Sequence, residues 1–327
     1  MGQQDFAAAD QSAPDTIPVI DVQPLREGGD IKSVAEALHA AATGMGFFYV
    51  TGHEIPAART EAAFAVARDF FALPDVDKRT IEIGTDQRGW MATGLSKLEG
   101  AKTHDLKEVF FWGREVAADD PDIAAGLPLV APNRWPDKVL PRLREDLIPY
   151  YHDVCRLGAQ LMSAVSVALG VKQDAFDAAY VRPLARGQLV YYPPSAERDE
   201  AEHRFGVAPH TDFGALTLLA QDDTGGLQVR GPDGDWIEAP PIPGTLVCNI
   251  GDLLKVWSNG RLASTVHRVI NRSGRERYSI PVFWDPRSDA VIDPCDLGVA
   301  AADRQFEPIT AGAHISGRNR QSFGQYR

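Results

Sequence analysis

The sequence predicts an α+β fold: an antiparallel β-sandwich or jelly-roll core with a mostly helical N-terminal portion packed on it. Three observations carry this. Apolar residues recur with helical period over 31–43, 58–71 and 140–169. From 184 to 285 the chain changes to short apolar runs cut by Gly, Pro and Asp, the texture of many short strands joined by turns. The composition, 44% hydrophobic and 24% charged over 327 residues, is that of a globular protein able to bury a core without staples.

In chain order, residues 1–15 are expected to be a disordered tail. Ile17-Pro18-Val19-Ile20-Asp21 is a β-branched run and reads as a strand. The helix over 31–43 places Ile31, Val34, Ala35, Leu38 and Ala41 on one face and stops at Gly44 and Gly46. Gly46-Phe47-Phe48-Tyr49-Val50 reads as a buried strand, and a second helix over 58–71 is closed by Pro74. Residues 84–113 break the pattern with Gly84, Gly89, Gly94 and Gly100 among scattered bases and aromatics, and read as a substrate lid loop. The third helix, 140–169, is long and amphipathic, with Pro141 in its first turn. These segments make an N-terminal module, 16–170. A C-terminal core, 171–327, follows, with strands expected near 189–192, 215–219, 227–229, 245–250 and 278–284.

The net charge of −12 argues against a nucleic-acid or anionic-membrane surface, which needs a basic face. No run approaches the ~18 apolar residues of a membrane span, and the N-terminus lacks the basic and apolar regions of a secretory signal. Cys155, Cys248 and Cys295 are odd in number and widely spaced, so a disulfide framework is excluded and a reducing compartment is favoured. The expectation is a cytoplasmic protein, monomeric or weakly homo-oligomeric, acting on a small molecule.

The chemistry starts from His210-Thr211-Asp212. On an extended strand residues i and i+2 share a face, so the imidazole and carboxylate would face one point, a nitrogen–oxygen pair suited to a divalent transition metal. A third ligand must come from elsewhere. His267 is the candidate, in the alternating run Ser264-Thr265-Val266-His267-Arg268-Val269. Two histidines and one carboxylate on one face form the facial triad of non-heme Fe(II) oxygenases, with positions left open for co-substrate and dioxygen. Taken alone, His-x-Asp fits a structural role as well. His39 and His152 read as surface or core residues, His203 reads as no ligand, and His104 stays open because its loop reads as a substrate lid. In Arg277-Tyr278-Ser279 a guanidinium and a hydroxyl again share a face, a pair suited to a carboxylate. If that strand neighbours the His267 strand, a dicarboxylate such as 2-oxoglutarate would span clamp and metal. Taken alone, this pair reads as a surface Arg beside a strand Ser.

Together these features resemble the isopenicillin N synthase-like, Fe(II)- and 2-oxoglutarate-dependent dioxygenases. His210-Thr211-Asp212-Phe213-Gly214, His267 and the Arg277/Ser279 pair follow that family's order and spacing. So do Gly225-Gly226-Leu227-Gln228-Val229, Asn249-Ile250-Gly251-Asp252 and the N-terminal landmarks Gly46 to Val50 and Gly52-His53. The resemblance implies a double-stranded β-helix (jelly-roll) core and Fe(II) on His210, Asp212 and His267, with no catalytic residue beyond these ligands. It implies that Arg277 and Ser279, helped by Tyr192, hold the distal carboxylate of 2-oxoglutarate. O2 would be consumed, a small molecule oxidised, most simply by hydroxylation, and succinate and CO2 released. Val190 stands where many plant members carry Asn. Arg88, Trp90, Phe111 and Phe283 are expected to line the substrate pocket, and Arg88, Lys97 and Lys107 hint at an anionic substrate. Three other readings stay open: a 2-oxoglutarate-independent oxidase or cyclase that clamps a substrate carboxylate, a zinc hydrolase, and a metal-binding jelly roll without catalysis.

Overall fold

Alternation along short strands, read against amphipathic helices, builds the molecule. The computed structural model describes residues 16–26, 29–98, 100–196, 199 and 202–322; the expected tail, 1–15, lies outside them. The first strands are β1 (Val19–Asp21), β2 (Phe47–Thr51), β3 (Gly89–Met91), β4 (Glu108–Gly113) and β5 (Arg186–Tyr192). Then come β6 (Val207–His210), β7 (Leu216–Gln221), β8 (Leu227–Arg230), β9 (Trp236–Glu238) and β10 (Leu246–Ile250). The last are β11 (His267–Val269), β12 (Arg277–Trp284), β13 (Val291–Ile292) and β14 (Ile309–Thr310). The helices used below are α1 (Ile31–Thr43), α2 (Ala57–Phe71), α3 (Arg142–Ala168), α4 (Asp252–Trp257) and α5 (Ala311–Ser322).

The large sheet has eight strands in the order β1-β2-β10-β7-β12-β5-β4-β3, and a smaller one has the order β6-β11-β8-β9. β1 and β2 run parallel, whereas the strands that carry the site pair antiparallel. This is the jelly-roll core, extended at both edges. The N-terminal module, 16–170, is mostly helical, and its strands β1 to β4 supply half of the eight-stranded sheet. The pattern of 84–113 hid two of these strands, because its glycines read as loop signals. Gly89 is there for close approach: a Cβ on it would lie 2.1 Å from the Ile81 carbonyl oxygen. What remains of the expected lid is the connection 92–107. It is tied down, with Ala208 N–H donating to buried Asp105 and Lys97 N–H to the Ser322 carbonyl in α5.

Two apolar cores follow from the two-residue period. α1, α2 and α3 cover one face of the large sheet, where Leu38, Phe70 and Leu157 meet Phe48, Phe110 and Leu218. Side chains of the opposite parity, Phe47, Val109, Phe111 and Val190, point between the two sheets with Val207, Leu227 and Val229. Each such large side chain contributes roughly 1.5–3 kcal/mol through burial. The second core leaves a cavity, and the polar residues of interest line it. Among the described residues no helix is long and apolar enough to cross a membrane.

Candidate metal centre and substrate pocket

β6 and β11 pair so that His210 and His267 are direct cross-strand partners, with ring centroids 4.2 Å apart. Phe47 packs edge-on against His267 at 5.1 Å. Asp212 differs from its expected place. β6 ends at His210, and Asp212 lies in the turn beyond it. The turn is pinned there by Asp252 N–H, which donates to the Asp212 carbonyl at 2.8 Å. It brings Asp212 Oδ1 to 3.7 Å from His210 Nε2 and 3.6 Å from His267 Nε2. Among the described residues this is the one group of three or more His, Cys, Asp or Glu whose ligand atoms converge, all within 4.8 Å of one another.

The surroundings prepare these atoms for a cation. His210 Nδ1 lies 2.9 Å from the Ala208 carbonyl and His267 Nδ1 lies 3.1 Å from that of Thr265. A carbonyl only accepts, so each Nδ1 carries the proton and each Nε2 offers its lone pair to the shared point. Burial, then the neighbouring His267, pushes His210 down to about 3, so the ring is neutral near pH 7. Burial alone would raise the Asp212 carboxyl. The two imidazoles and hydrogen bonds from Thr217 and Asn249 outweigh that and bring it below its ordinary value. Both bonds fall on Oδ2, at 2.5 Å from Thr217 Oγ1 and 2.7 Å from Asn249 Nδ2, which leaves Oδ1 facing the histidines. Two imidazole nitrogens and one carboxylate oxygen fit Fe(II). Thr217→Val removes one of these donors with little change of shape and is expected to weaken Fe(II) binding ~10–100-fold, the usual worth of such an outer partner. Chelator competition measures it, and unchanged affinity would count against this role for Thr217.

The cavity wall beside the cluster is made by β5 and β12. Their register sets Arg277 opposite Tyr192, Ser279 opposite Val190 and Phe283 opposite Arg186. Alternation then turns Arg186, Gln188, Val190 and Tyr192, with Arg277, Ser279, Pro281 and Phe283, toward two adjoining cavity lobes of about 80 Å³ each. One lobe holds all three metal-ligand candidates together with Arg277, Ser279 and Tyr192. The other holds His210 and Asp212 with Gln87, Phe111, Arg186 and Phe283. A larger cleft of about 710 Å³ lies elsewhere and contains none of the three candidates. Arg277 is 1% exposed. Its Nε donates to the Gly225 carbonyl at 2.6 Å, its Nη2 donates to Gln221 Oε1 at 2.9 Å, and the guanidinium sits 4.7 Å over the Tyr192 ring. Its Nη1 is buried without a hydrogen-bond partner among the described residues. A cationic N–H left over in a cavity beside a metal cluster fits a bound carboxylate.

Of the residues expected to touch substrate, Phe111 and Phe283 line the second lobe. Arg88 and Trp90 do not, and both expectations are corrected. Gln87 has φ 54, which turns its own side chain to the pocket and sends Arg88 into the interior. There Arg88 is 2% exposed and donates to the Gln87 and Leu129 carbonyls. Trp90 pairs with Phe110 across β3 and β4, on the parity that faces the helices, and its Nε1 donates to Glu108. Sequence reasoning missed Gln87, Arg186, Gln188 and Asn319 in the pocket, and assigned no role to Thr217 or Asn249. Beginning β5 at Arg186 rather than Leu189 would have placed Arg186 and Gln188 on the face of Tyr192 by the i, i+2 rule. Lys107 lines both lobes, with its charge opposed by Asp105 Oδ2 at 3.3 Å.

Known proteins resemble this chain along most of its length. Residues 17–138 match the family model described as non-haem dioxygenase in morphine synthesis N-terminal, and residues 187–286 match that of the 2OG-Fe(II) oxygenase superfamily. The 2-oxoglutarate-Fe(II) type oxidoreductase hxnY of Emericella nidulans is 34% identical over 322 residues, spanning 96% of this chain and 92% of the relative. Homoarginine-6-hydroxylase 2-ODD-C23 of Glycine max is 35% identical over 323 residues, 93% of this chain and 96% of the relative. A full-length Neurospora crassa protein, crystallised in complex with alpha-KG, superposes with a TM-score of 0.81 at 30% identity, covering 92% of this chain and 95% of that one. The same Neurospora crassa protein in complex with alpha-KG and thymine also gives a TM-score of 0.81, at 29% identity over 93% and 96% of the two chains. The enzymatic reading therefore stands over a zinc hydrolase or a non-catalytic jelly roll, and the chain belongs to the isopenicillin N synthase-like family of Fe(II)- and 2-oxoglutarate-dependent dioxygenases.

Proposed function

We propose that His210, Asp212 and His267 hold Fe(II), that Arg277, Ser279 and Tyr192 hold the distal carboxylate of 2-oxoglutarate, and that the protein hydroxylates a small molecule seated between Phe111 and Phe283. The observation that carries this is the buried, unpartnered Nη1 of Arg277 in the cavity that also contains the three ligands. Bound there, the iron supplies activation of O2 at the expense of 2-oxoglutarate, which leaves as succinate and CO2. The chain supplies the rest. Thr217 and Asn249 hold Asp212, the Ala208 and Thr265 carbonyls fix the imidazole tautomers, and the inter-sheet core keeps the cavity dry. The three free cysteines suit a reducing compartment such as the cytoplasm, and the shape of the pocket suits a small molecule rather than a macromolecule.

Anaerobic titration of the Fe(II) protein with 2-oxoglutarate is expected to give the visible charge-transfer band of the ternary chelate. A succinate-release screen over small molecules is expected to yield succinate and hydroxylated product in equal amounts. It starts with homoarginine, for which one relative is named, and thymine, with which another is crystallised. Product formed without succinate would overturn the assignment of Arg277 to 2-oxoglutarate and favour the oxidase reading.

A further inference from the structure

The substrate lobe is lined by three side chains that each bury an N–H with no partner among the described residues: Gln87 Nε2, Arg186 Nε and Asn319 Nδ2. Their residues are 1%, 7% and 2% exposed, so bulk water does not satisfy them. One buried donor left unmade costs about 1–3 kcal/mol. Three such donors on residues that line one small cavity mark a place for a ligand that supplies the acceptors.

The orientation of these donors is set by the chain itself. Gln87 Oε1 accepts from Arg186 Nη1 at 2.5 Å, which leaves the Gln87 amide nitrogen as the unpaired end. The turn that presents it is held at φ 54 and anchored from behind by Arg88. Arg186 Nη2 donates to Asp285 Oδ2 at 3.0 Å, and Asp285 Oδ1 accepts from Ala215 N–H at 2.9 Å, behind the Asp212 turn. Asn319 comes from α5, whose last turn also holds the connection 92–107 through Ser322.

Charge narrows the ligand further. The Arg186 guanidinium is already paired with Asp285, and Lys107 with Asp105. The lobe therefore offers N–H donors without an unopposed side-chain cation. A second free carboxylate would enter without a side-chain counter-ion of its own, at a desolvation cost. The rings of Phe111, Phe213 and Phe283 complete the walls, surfaces suited to a flat apolar face.

We propose that the substrate is a small, flat, uncharged molecule whose carbonyl or ring-nitrogen acceptors receive the N–H groups of Gln87, Arg186 and Asn319, a lactam or cyclic imide rather than a carboxylate. This deepens the function proposed above and rests on it. It also replaces the anionic substrate hinted at by Arg88, Lys97 and Lys107.

The test uses the full chain loaded anaerobically with Fe(II) and 2-oxoglutarate, so that binding is read without turnover. Uracil, 2-pyridone and glutarimide are titrated against benzoate and nicotinate by calorimetry. The neutral rings are expected to bind about tenfold tighter or more than the carboxylates. Gln87→Glu and Asn319→Asp, which replace a donor by an acceptor of nearly the same shape, are each expected to weaken the neutral rings by about tenfold, the worth of one hydrogen bond. The charge-transfer band with 2-oxoglutarate should persist in both variants. Carboxylates binding as tightly as the neutral rings, no neutral ring binding at millimolar concentration, or folded variants with unaltered affinity would each overturn the proposal. The comparison of ligands on the unmodified protein stands even if a variant fails to fold. Loss of the band in the unmodified protein would instead overturn the underlying assignment of the iron and 2-oxoglutarate sites.

Discussion

Replacing His267 by Ala is expected to abolish stoichiometric Fe(II) binding and, with it, succinate formation. The loss should exceed the ~10–100-fold that an outer hydrogen-bond partner is worth, because a ligand atom itself is removed. The remaining His210 and Asp212 sit on one side of the shared point, their ligand atoms 3.7 Å apart, and two protein ligands hold a metal poorly in competition with water. The lost group is specific. His104 is exposed in the connection 92–107 and His203 lies before β6 with φ 56; neither belongs to the convergent cluster. His104→Ala and His203→Ala should therefore keep the full iron content. Metal analysis after anaerobic reconstitution decides this, with melting temperature as the control for folding. Iron lost from either variant as completely as from His267→Ala would sink the ligand assignment.

Much of the fold was legible because its period was apolar. α1 was expected over 31–43 and is found there, since Val34, Leu38 and Ala41 form an unbroken stripe above an Asp30 cap. α3 and β12 were found within about two residues for the same reason. The misses have two causes, a buried face that is not apolar and glycines that read as turns. α5 buries Ala311, Ser316, Asn319 and Ser322 with a single large residue, Ile315, among them, so no hydrophobic stripe announces it. β3 is three residues long and opens on glycine, which reads as a turn. At the site, the Arg277/Ser279 pair was legible because one strand period relates its members, whereas Asp212 meets His210 through the turn after β6 and not through the strand period. Gln87 was not legible, because its direction depends on a single positive φ. Asn319 was not, because it reaches the pocket from more than a hundred residues beyond His210 and no local pattern links them.

Arg277→Lys is expected to weaken 2-oxoglutarate binding by roughly 1–3 kcal/mol, the range for hydrogen bonds to charged groups, while leaving Fe(II) binding almost unchanged. The guanidinium does three things at once. Nε grips the Gly225 carbonyl, Nη2 grips Gln221, and Nη1 is left as a buried donor in the cavity. Its plane also rests over the Tyr192 ring. A lysine ammonium keeps the charge but is a point, not a fork, so it cannot hold both protein acceptors and still aim a donor at a carboxylate in fixed geometry. The iron ligands lie on β6, β11 and the turn after β6 rather than on β12, so the loss should appear in the 2-oxoglutarate titration alone. An oxidase that clamps its substrate in the same place makes the opposite prediction: no requirement for 2-oxoglutarate in the unmodified enzyme, and a raised KM for the primary substrate in the variant. Succinate counted per turnover, alongside the KM of each co-reactant, separates the two. Equal succinate and product, with the penalty confined to 2-oxoglutarate, keeps Arg277 as its anchor.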